Sequence, residues 1–104
     1  MIKEFQDFIR SDWYSYEKKK GGGLKSMFIM TVGLAGESGE VCELIKKNVR
    51  DGKEIKKDLL LELGDVLHYL TRIGQEFNMS LEDIMQANII KLKERRKNNP
   101  DWKG

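Results

Sequence analysis

The sequence predicts an all-α fold, a four-helix antiparallel bundle that occupies residues 1–104 as a single domain. In four separate stretches, apolar residues recur at steps of three and four residues, which is the period of an α-helix. These stretches are separated by glycine-containing or capping sequences, and the chain lacks the alternating pattern that is typical of β-strands. Because the connections are short, consecutive helices are expected to pack antiparallel.

The first helix is predicted from Ile2 to about Glu17. Its apolar residues at the helical period are Ile2, Phe5, Ile9, Trp13 and Tyr16. We expect Trp13 to lie in the core, and stacking on a planar base is the alternative for this side chain. Residues 18–23, Lys-Lys-Lys-Gly-Gly-Gly, predict a mobile basic loop, because three glycines disfavour a helix and three lysines prefer solvent. This loop is interpreted as a solvated linker or as a segment that closes over an anionic ligand.

The second helix is predicted from near Leu24 to about Arg50, and the third from about Ile55 to Phe77. Gly52, between them, suits the left-handed conformation that ends a helix. A glycine inside a helix costs about 1 kcal/mol relative to alanine. We therefore expect a close helix approach or room for a ligand at the three interior glycines of the second helix, Gly33, Gly36 and Gly39.

The fourth helix is predicted from Ser80, as the N-cap, to about Lys97. Acidic residues in its first turn suit the helix dipole. Its apolar stripe consists of Leu81, Ile84, Met85 and Leu92. Asn88, Lys91 and Arg95 lie on or beside the same side of the helix. These three are interpreted as ordinary surface residues near a helix C-terminus or as ligands of an anion.

Two acidic pairs with the same i,i+3 spacing lie on the second and third helices: Glu37 with Glu40, and Glu62 with Asp65. This spacing directs both carboxylates of a pair to one side of the helix. The pairs lie within or beside the apolar arcs, where ionised carboxylates are unfavourable unless they meet a cation. The four acids therefore predict a metal site with oxygen ligands, for which Mg²⁺ is expected and Mn²⁺ is a possible substitute.

A metal held by these four carboxylates and faced by Asn88, Lys91 and Arg95 would be a receptor for a polyphosphate. The reaction expected there is attack of water on phosphorus, with a carboxylate that does not bind the metal accepting the proton. His68, the single histidine, lies outside the third helix's apolar arc and is expected to be a surface residue rather than a base. The competing interpretation is a non-catalytic helical interaction module, in which the acids pair with lysines across a subunit interface.

Composition limits the classes of partner. The formal net charge is +2 although 35% of residues are charged, so we expect no nucleic-acid-binding tail. No apolar run approaches the roughly 20 residues of a membrane span. Cys42 is the single cysteine and cannot form an internal disulfide. It is expected to be a small buried residue of a soluble cytoplasmic protein.

At the acidic pairs the chain resembles the MazG-like branch of the all-α nucleoside triphosphate pyrophosphohydrolases. The resemblance rests on Gly-Leu-Ala-Gly-Glu-Ser-Gly-Glu-Val and on Leu-Glu-Leu-Gly-Asp-Val-Leu-His-Tyr-Leu. The family pattern E-E-x-x-E followed by E-x-x-D corresponds to Glu37, Glu40, Glu62 and Asp65. The first glutamate of that pattern is replaced by Gly36, which bears on a second metal and on the positioning of water. Asn88, Lys91 and the segment to Arg95 are similar to the family's phosphate-contacting segment.

The resemblance implies Mg²⁺-dependent hydrolysis of a (deoxy)nucleoside triphosphate between the α- and β-phosphates, which gives the monophosphate and pyrophosphate. The catalytic and metal-binding residues would be the four acids, and the substrate-binding residues would be Asn88, Lys91 and Arg95. A related phosphoribosyl-ATP or alarmone pyrophosphohydrolase is the alternative within the same fold. The resemblance also implies a homo-oligomer, often a tetramer made of two dimers.

Some apolar residues lie outside the apolar arcs of their helices, and they also predict that the chain forms a homo-oligomer. They are Phe28, Ile29, Leu60, Leu61, Leu67 and Ile90. A small domain that places a ligand between its helices has to bury such residues between subunits. We therefore expect at least a dimer, with a site bordered by more than one chain.

Overall fold

The computed structural model describes residues 1–101, which form four helices. They are α1 (Ile2–Lys20), α2 (Gly23–Asp51), α3 (Lys56–Glu76) and α4 (Leu81–Asn98). No strand is present in this part of the chain. The predicted all-α four-helix fold is confirmed, and most helix ends lie within a residue or two of their predicted positions. Within residues 1–101, no helix is both long enough and apolar enough to cross a bilayer.

The prediction of a basic loop at residues 18–23 is wrong, because the three lysines form the last turn of α1. Lysine is a good helix former, and its positive charge is favourable at the C-terminal end of the helix dipole. The helix ends at Gly21, whose φ of 98° lies in the region that favours glycine and whose N–H donates to the Glu17 carbonyl. The connection to α2 is therefore only Gly21 and Gly22.

Helices α2 and α3 form an antiparallel hairpin that is the centre of the fold. Gly52, with φ 69°, ends α2, and its N–H donates to the Asn48 carbonyl. At the other end of the hairpin Gly33 lies directly against the ring of Tyr69. A Cβ on Gly33 would be 2.4 Å from Tyr69 Cε1, closer than van der Waals contact permits. The close helix approach expected for the interior glycines thus occurs at Gly33.

A small apolar core lies where α1 packs on the α2–α3 hairpin. Its buried members are Ile9, Trp13 and Met30, so the core position expected for Trp13 is observed. Six partly buried side chains surround it: Phe5, Tyr16, Met27, Ile29, Tyr69 and Ile73. Ile29, which was expected to be buried between subunits, is therefore partly buried against the core of its own chain. Cys42, expected to be buried, is exposed, because α2 turns this side away from α3.

Polar contacts connect α1, α3 and the start of α4. The Arg72 guanidinium lies 2.7 Å from Glu17 Oε1 and 2.6 Å from Glu76 Oε1, and its side chain is only 11% exposed. Gln75 Nε2 donates to the Gln6 carbonyl, and the Leu81 N–H donates to Gln6 Oε1. Charged groups with so little solvent contact have to be paired, so these contacts fix where α1 lies on α3.

Helix α4 begins with the predicted N-cap. Ser80 Oγ accepts from the Asp83 N–H and Asp83 Oδ2 accepts from the Ser80 N–H, which is a capping box. Leu81 is buried, and Ile84 packs against Gly74 of α3. Beyond Ile84 the described side chains of α4 are exposed, apart from a half-buried Leu92. The predicted apolar stripe is therefore covered only at its beginning.

The chain is more extended than a compact domain of its size. Its radius of gyration is 16.6 Å, whereas about 13 Å is expected for a compact chain of this length. Its accessible surface is 8024 Å², against about 6,000 Å² expected for a compact protein of this mass. Among the residues predicted to mediate association, all but Ile29 are exposed: Phe28, Leu60, Leu61, Leu67 and Ile90.

Candidate metal centre

Three carboxylates meet across the α2–α3 hairpin. Glu37 of α2 and Glu62 and Asp65 of α3 each offer an oxygen, and these oxygens all lie within 4.8 Å of one another. The i,i+3 spacing places the two α3 acids on one side, and the antiparallel pairing brings that side to Glu37. Glu37 and Glu62 are partly buried, and Asp65 is exposed. We refer to these three residues as the carboxylate cluster.

The cluster holds a proton more tightly than an isolated carboxylate does. The pKa of Glu37 is raised from an ordinary 4.5 to about 7. The largest cause is a hydrogen bond shared with Glu62, followed by burial and by the negative charges of Asp65, Glu62 and Glu40. No lysine or arginine is among the groups that act on Glu37. A cation bound at the cluster would therefore be electrostatically favourable at neutral pH.

Glu40 lies at the edge of this group. It is exposed and is not one of the three acids whose oxygens meet, although its charge contributes to the raised pKa of Glu37. The i,i+3 step keeps Glu40 on the same side of α2 as Glu37, about 60° around the axis and nearly one turn further along. Gly36, on the other side of Glu37, would have open space around an added Cβ. The structure thus brings together three of the four predicted acids.

The donor chemistry of the cluster fits a divalent cation. Its donors are all carboxylate oxygens, which hard cations such as Mg²⁺ and Ca²⁺ prefer. A divalent ion would neutralise the like charges that contribute to the raised pKa of Glu37. In the described part of the chain this is the one group of three acidic, histidine or cysteine side chains that is arranged closely enough for a metal.

Tyr69 lies near the cluster and also contacts aromatic side chains of α1 and α3. The pKa of the Tyr69 hydroxyl is raised by burial and then by the charges of Glu37 and Asp65, so the phenol lies within their field. The Tyr69 ring stacks on His68, with centroids 4.8 Å apart and planes 4° apart. Trp13 Nε1 donates to His68 Nε2 at 2.7 Å. The expectation of a surface role for His68 is therefore wrong.

Sequence reasoning missed this contact because the partner of His68 lies 55 residues away on another helix. A signal was nevertheless present: a buried tryptophan needs an acceptor for its indole N–H. The same side chains line a cavity of about 190 Å³, bounded by Asp12, Trp13, Tyr16, Ile29, His68 and Tyr69. Tyr69 thus separates an aromatic cavity from the carboxylate cluster.

The predicted phosphate ligands lie on the surface of α4. Asn88, Lys91 and Arg95 are exposed. Asn88 and Lys91 line a shallow groove whose other walls are Met79, Asp83, Ile84 and Ala87. No member of the carboxylate cluster lines that groove. Asn88 and Lys91 therefore line a surface that is separate from the carboxylate cluster.

The fold and this site define an all-α protein with a carboxylate centre suited to a divalent cation. Comparison with known families specifies it further, because residues 26–99 match the MazG nucleotide pyrophosphohydrolase domain. The chain belongs to this family, as the acidic motifs indicated. It is also similar to the Gene 37 protein of Mycobacterium phage L5, with 33% identity over 78 residues that cover 70% of this chain and 68% of the phage protein. No solved structure matches the chain significantly.

Proposed function

We propose that the protein is a Mg²⁺-dependent hydrolase that cleaves (deoxy)nucleoside triphosphates between the α- and β-phosphates. The products would be the nucleoside monophosphate and pyrophosphate. The observation that supports this most strongly is the carboxylate cluster, which lies inside the matched domain and joins its two motif helices. A triphosphate is strongly anionic, so the acids alone would repel it. A cation between them is therefore necessary for this substrate.

Mg²⁺, or Mn²⁺ in its place, would be held by Glu37, Glu62 and Asp65, with Glu40 as the fourth proposed ligand. The bound ion would supply charge neutralisation and Lewis acidity at the phosphates. A carboxylate of this set that is not engaged with the ion would accept a proton from the attacking water. Asn88, Lys91 and Arg95 would donate to phosphate oxygens, Lys91 as a point charge and Arg95 as a planar fork.

A homo-oligomer, with a tetramer of two dimers as the expected form, is part of the proposal. The support for it is the surface of the single chain, which exceeds that of a compact protein of this mass by about 2,000 Å². This excess is larger than the roughly 800 Å² that one partner buries in a standard interface, so it leaves room for more than one contact between subunits. We also place the protein in the cytoplasm, where the exposed Cys42 would remain a reduced thiol.

Incubation with a panel of ribo- and deoxyribonucleoside triphosphates and Mg²⁺, followed by phosphorus NMR of the products, tests the activity. We expect monophosphate and pyrophosphate, and loss of most of the turnover in Glu37→Gln. Glu43→Gln is the matched control, because Glu43 lies on the same helix but pairs with Lys46 at 3.0 Å. Release of orthophosphate alone would exclude the proposed bond cleavage. Absence of turnover with every nucleotide would favour the interaction module instead, for which the exposed apolar surface also provides support.

A further inference from the structure

The ring of Tyr69 packs between the two helices that carry the carboxylate cluster. Tyr69 lies one turn after Asp65 on α3, and its ring lies directly against Gly33, one turn before Glu37 on α2. The pKa of its hydroxyl is raised by burial and then by the charges of Glu37 and Asp65, so the phenol is close to the cluster. The position of this ring therefore affects how closely α2 and α3 approach beside the cluster.

The imidazole of His68 supports one face of the Tyr69 ring. The two rings are parallel to within 4°, with centroids 4.8 Å apart. Trp13 of α1 meets the same Tyr69 ring edge-on, with centroids 6.2 Å apart. Consecutive side chains on a helix point about 100° apart and do not normally face each other. The parallel stack of residues 68 and 69 therefore needs another contact to hold the imidazole in this orientation.

Trp13 supplies that contact from α1. Its Nε1 donates to His68 Nε2 at 2.7 Å, and Trp13 is only 6% exposed. The indole is itself held in the core with Ile9 and Met30. Because Nε2 accepts this bond, the proton of the imidazole is on Nδ1, and the direction of the bond limits rotation of the ring. A contact made by α1 therefore determines how His68 lies against Tyr69.

We propose that His68 is a positioning residue for the metal centre: held by Trp13, its imidazole keeps the Tyr69 ring in place and thereby keeps α2 and α3 at the spacing that the carboxylate cluster needs for a divalent cation. This inference rests on the proposed function for the identity of the cation, and on the aromatic contacts for the mechanism. It gives α1, which contributes no carboxylate to the cluster, a role in metal binding. The spacing matters because Mg²⁺ demands near-ideal ligand geometry.

Calorimetric titration with Mg²⁺ alone tests the proposal at a temperature where circular dichroism shows every variant to be folded. Trp13→Phe keeps an aromatic ring in the core but removes the donor to His68. We expect it to weaken Mg²⁺ binding about fivefold, a magnitude typical of substitutions that act through intervening side chains. Glu17→Gln is the matched control. It also weakens the attachment of α1 to α3, because it removes a charged partner of Arg72, but it leaves the aromatic contacts unchanged.

We expect Glu17→Gln to bind Mg²⁺ as the wild type does, even where its melting temperature is lower. Equal Mg²⁺ affinity in the wild type and Trp13→Phe would overturn the proposal. An equal loss of affinity in Trp13→Phe and Glu17→Gln would also overturn it, because the loss would then follow from weaker packing of α1 alone.

A double variant tests whether the imidazole acts through its stack on Tyr69. In Trp13→Phe combined with His68→Phe, a flat ring is again available to stack on Tyr69, and neither a donor nor an acceptor of the lost bond is left without a partner. We expect this variant to recover most of the Mg²⁺ affinity that Trp13→Phe loses, and no recovery in the folded double variant would overturn the proposal. If Mg²⁺ binding responds as expected in a protein that hydrolyses no nucleotide, the proposed function is refuted and the role of His68 stands.

Discussion

Binding of Mg²⁺ should release a proton from Glu37, and the pH dependence of binding can be derived from the structure. The pKa of Glu37 is about 7 because Glu37 shares a hydrogen bond with Glu62 inside a group of like charges. A cation that binds this carboxylate has to displace its proton. With a pKa of about 7, the ionised fraction of Glu37 rises about tenfold between pH 6 and pH 8. The apparent affinity for Mg²⁺ should rise by the same factor and then level off.

The affinity for Mg²⁺ should rise with pH, but the stability of the metal-free protein should fall. A carboxylate whose pKa is raised on folding contributes stability that is present below its unfolded pKa, here 4.5, and is lost as the pH rises through about 7. The protein in EDTA should therefore melt at a lower temperature at pH 8 than at pH 6. Mg²⁺ should reverse this order, because it binds more tightly to the folded protein at the higher pH.

Isothermal titration calorimetry in two buffers of different ionisation enthalpy measures the protons released for each ion bound. We expect nearly one proton at pH 6 and almost none at pH 8. Glu37→Gln should bind Mg²⁺ more weakly and release almost no proton at either pH. Because this variant retains the single histidine, it also shows whether the histidine contributes to the proton release. Glu43→Gln should behave as the wild type, because the pKa of Glu43 is lowered by Lys46 and the group is already ionised. An equal release of protons by the wild type and by Glu37→Gln would refute the assignment of the shared proton.

Three further outcomes are expected. Glu62→Gln and Asp65→Asn should lose most activity while remaining folded, with metal-free melting temperatures level with or above that of the wild type, because each removes a like charge from the cluster. Lys91→Ala should weaken nucleotide binding more than Mg²⁺ binding in calorimetry, and equal losses would contradict a phosphate contact. Trp13→Phe should lower the free energy of unfolding in urea by about 2 kcal/mol, because it leaves His68 Nε2 without its donor.

The oligomeric state is a further measurable expectation. Light scattering at micromolar concentration should give a mass near four times the 12.1 kDa of the chain for a tetramer, or twice that mass for a dimer. A mass equal to that of the single chain would contradict the proposed oligomer.

The helices and the acids could be predicted from the sequence because their signals are local. The apolar period, Gly52 and the Ser80 cap mark the helix ends, and they depend on neighbours within one or two turns. The i,i+3 spacing of Glu62 and Asp65 likewise determines their common side without knowledge of the fold. The antiparallel pairing of α2 and α3, which follows from their short connection, then brings Glu37 to them.

What could not be predicted depends on contacts between distant segments. The partner of His68 is Trp13, and no local pattern relates the two residues. The rotation of α2 that exposes Cys42 and turns Glu40 outward is set by packing of the whole hairpin. The position of α4 depends on the surface that its apolar stripe contacts. The stripe indicates that such a surface exists but does not identify it. The prediction of a loop at the lysines before Gly21 is wrong for a different reason, because the helix propensity of lysine outweighs its preference for solvent.

The contact between Gly33 and Tyr69 also constrains which substitutions the chain can accept during evolution. Gly33 lies one turn before Glu37, and Tyr69 lies one turn after Asp65, so this contact sets the distance between the two helices beside the cluster. Alanine at position 33 would push the helices apart or displace the ring, since its Cβ would lie 2.4 Å from Tyr69 Cε1. Alanine becomes acceptable once residue 69 no longer carries a ring, so Gly33→Ala should cost much less stability when combined with Tyr69→Leu than alone. Positions 33 and 69 should therefore co-vary among related sequences, even though neither residue belongs to the cluster.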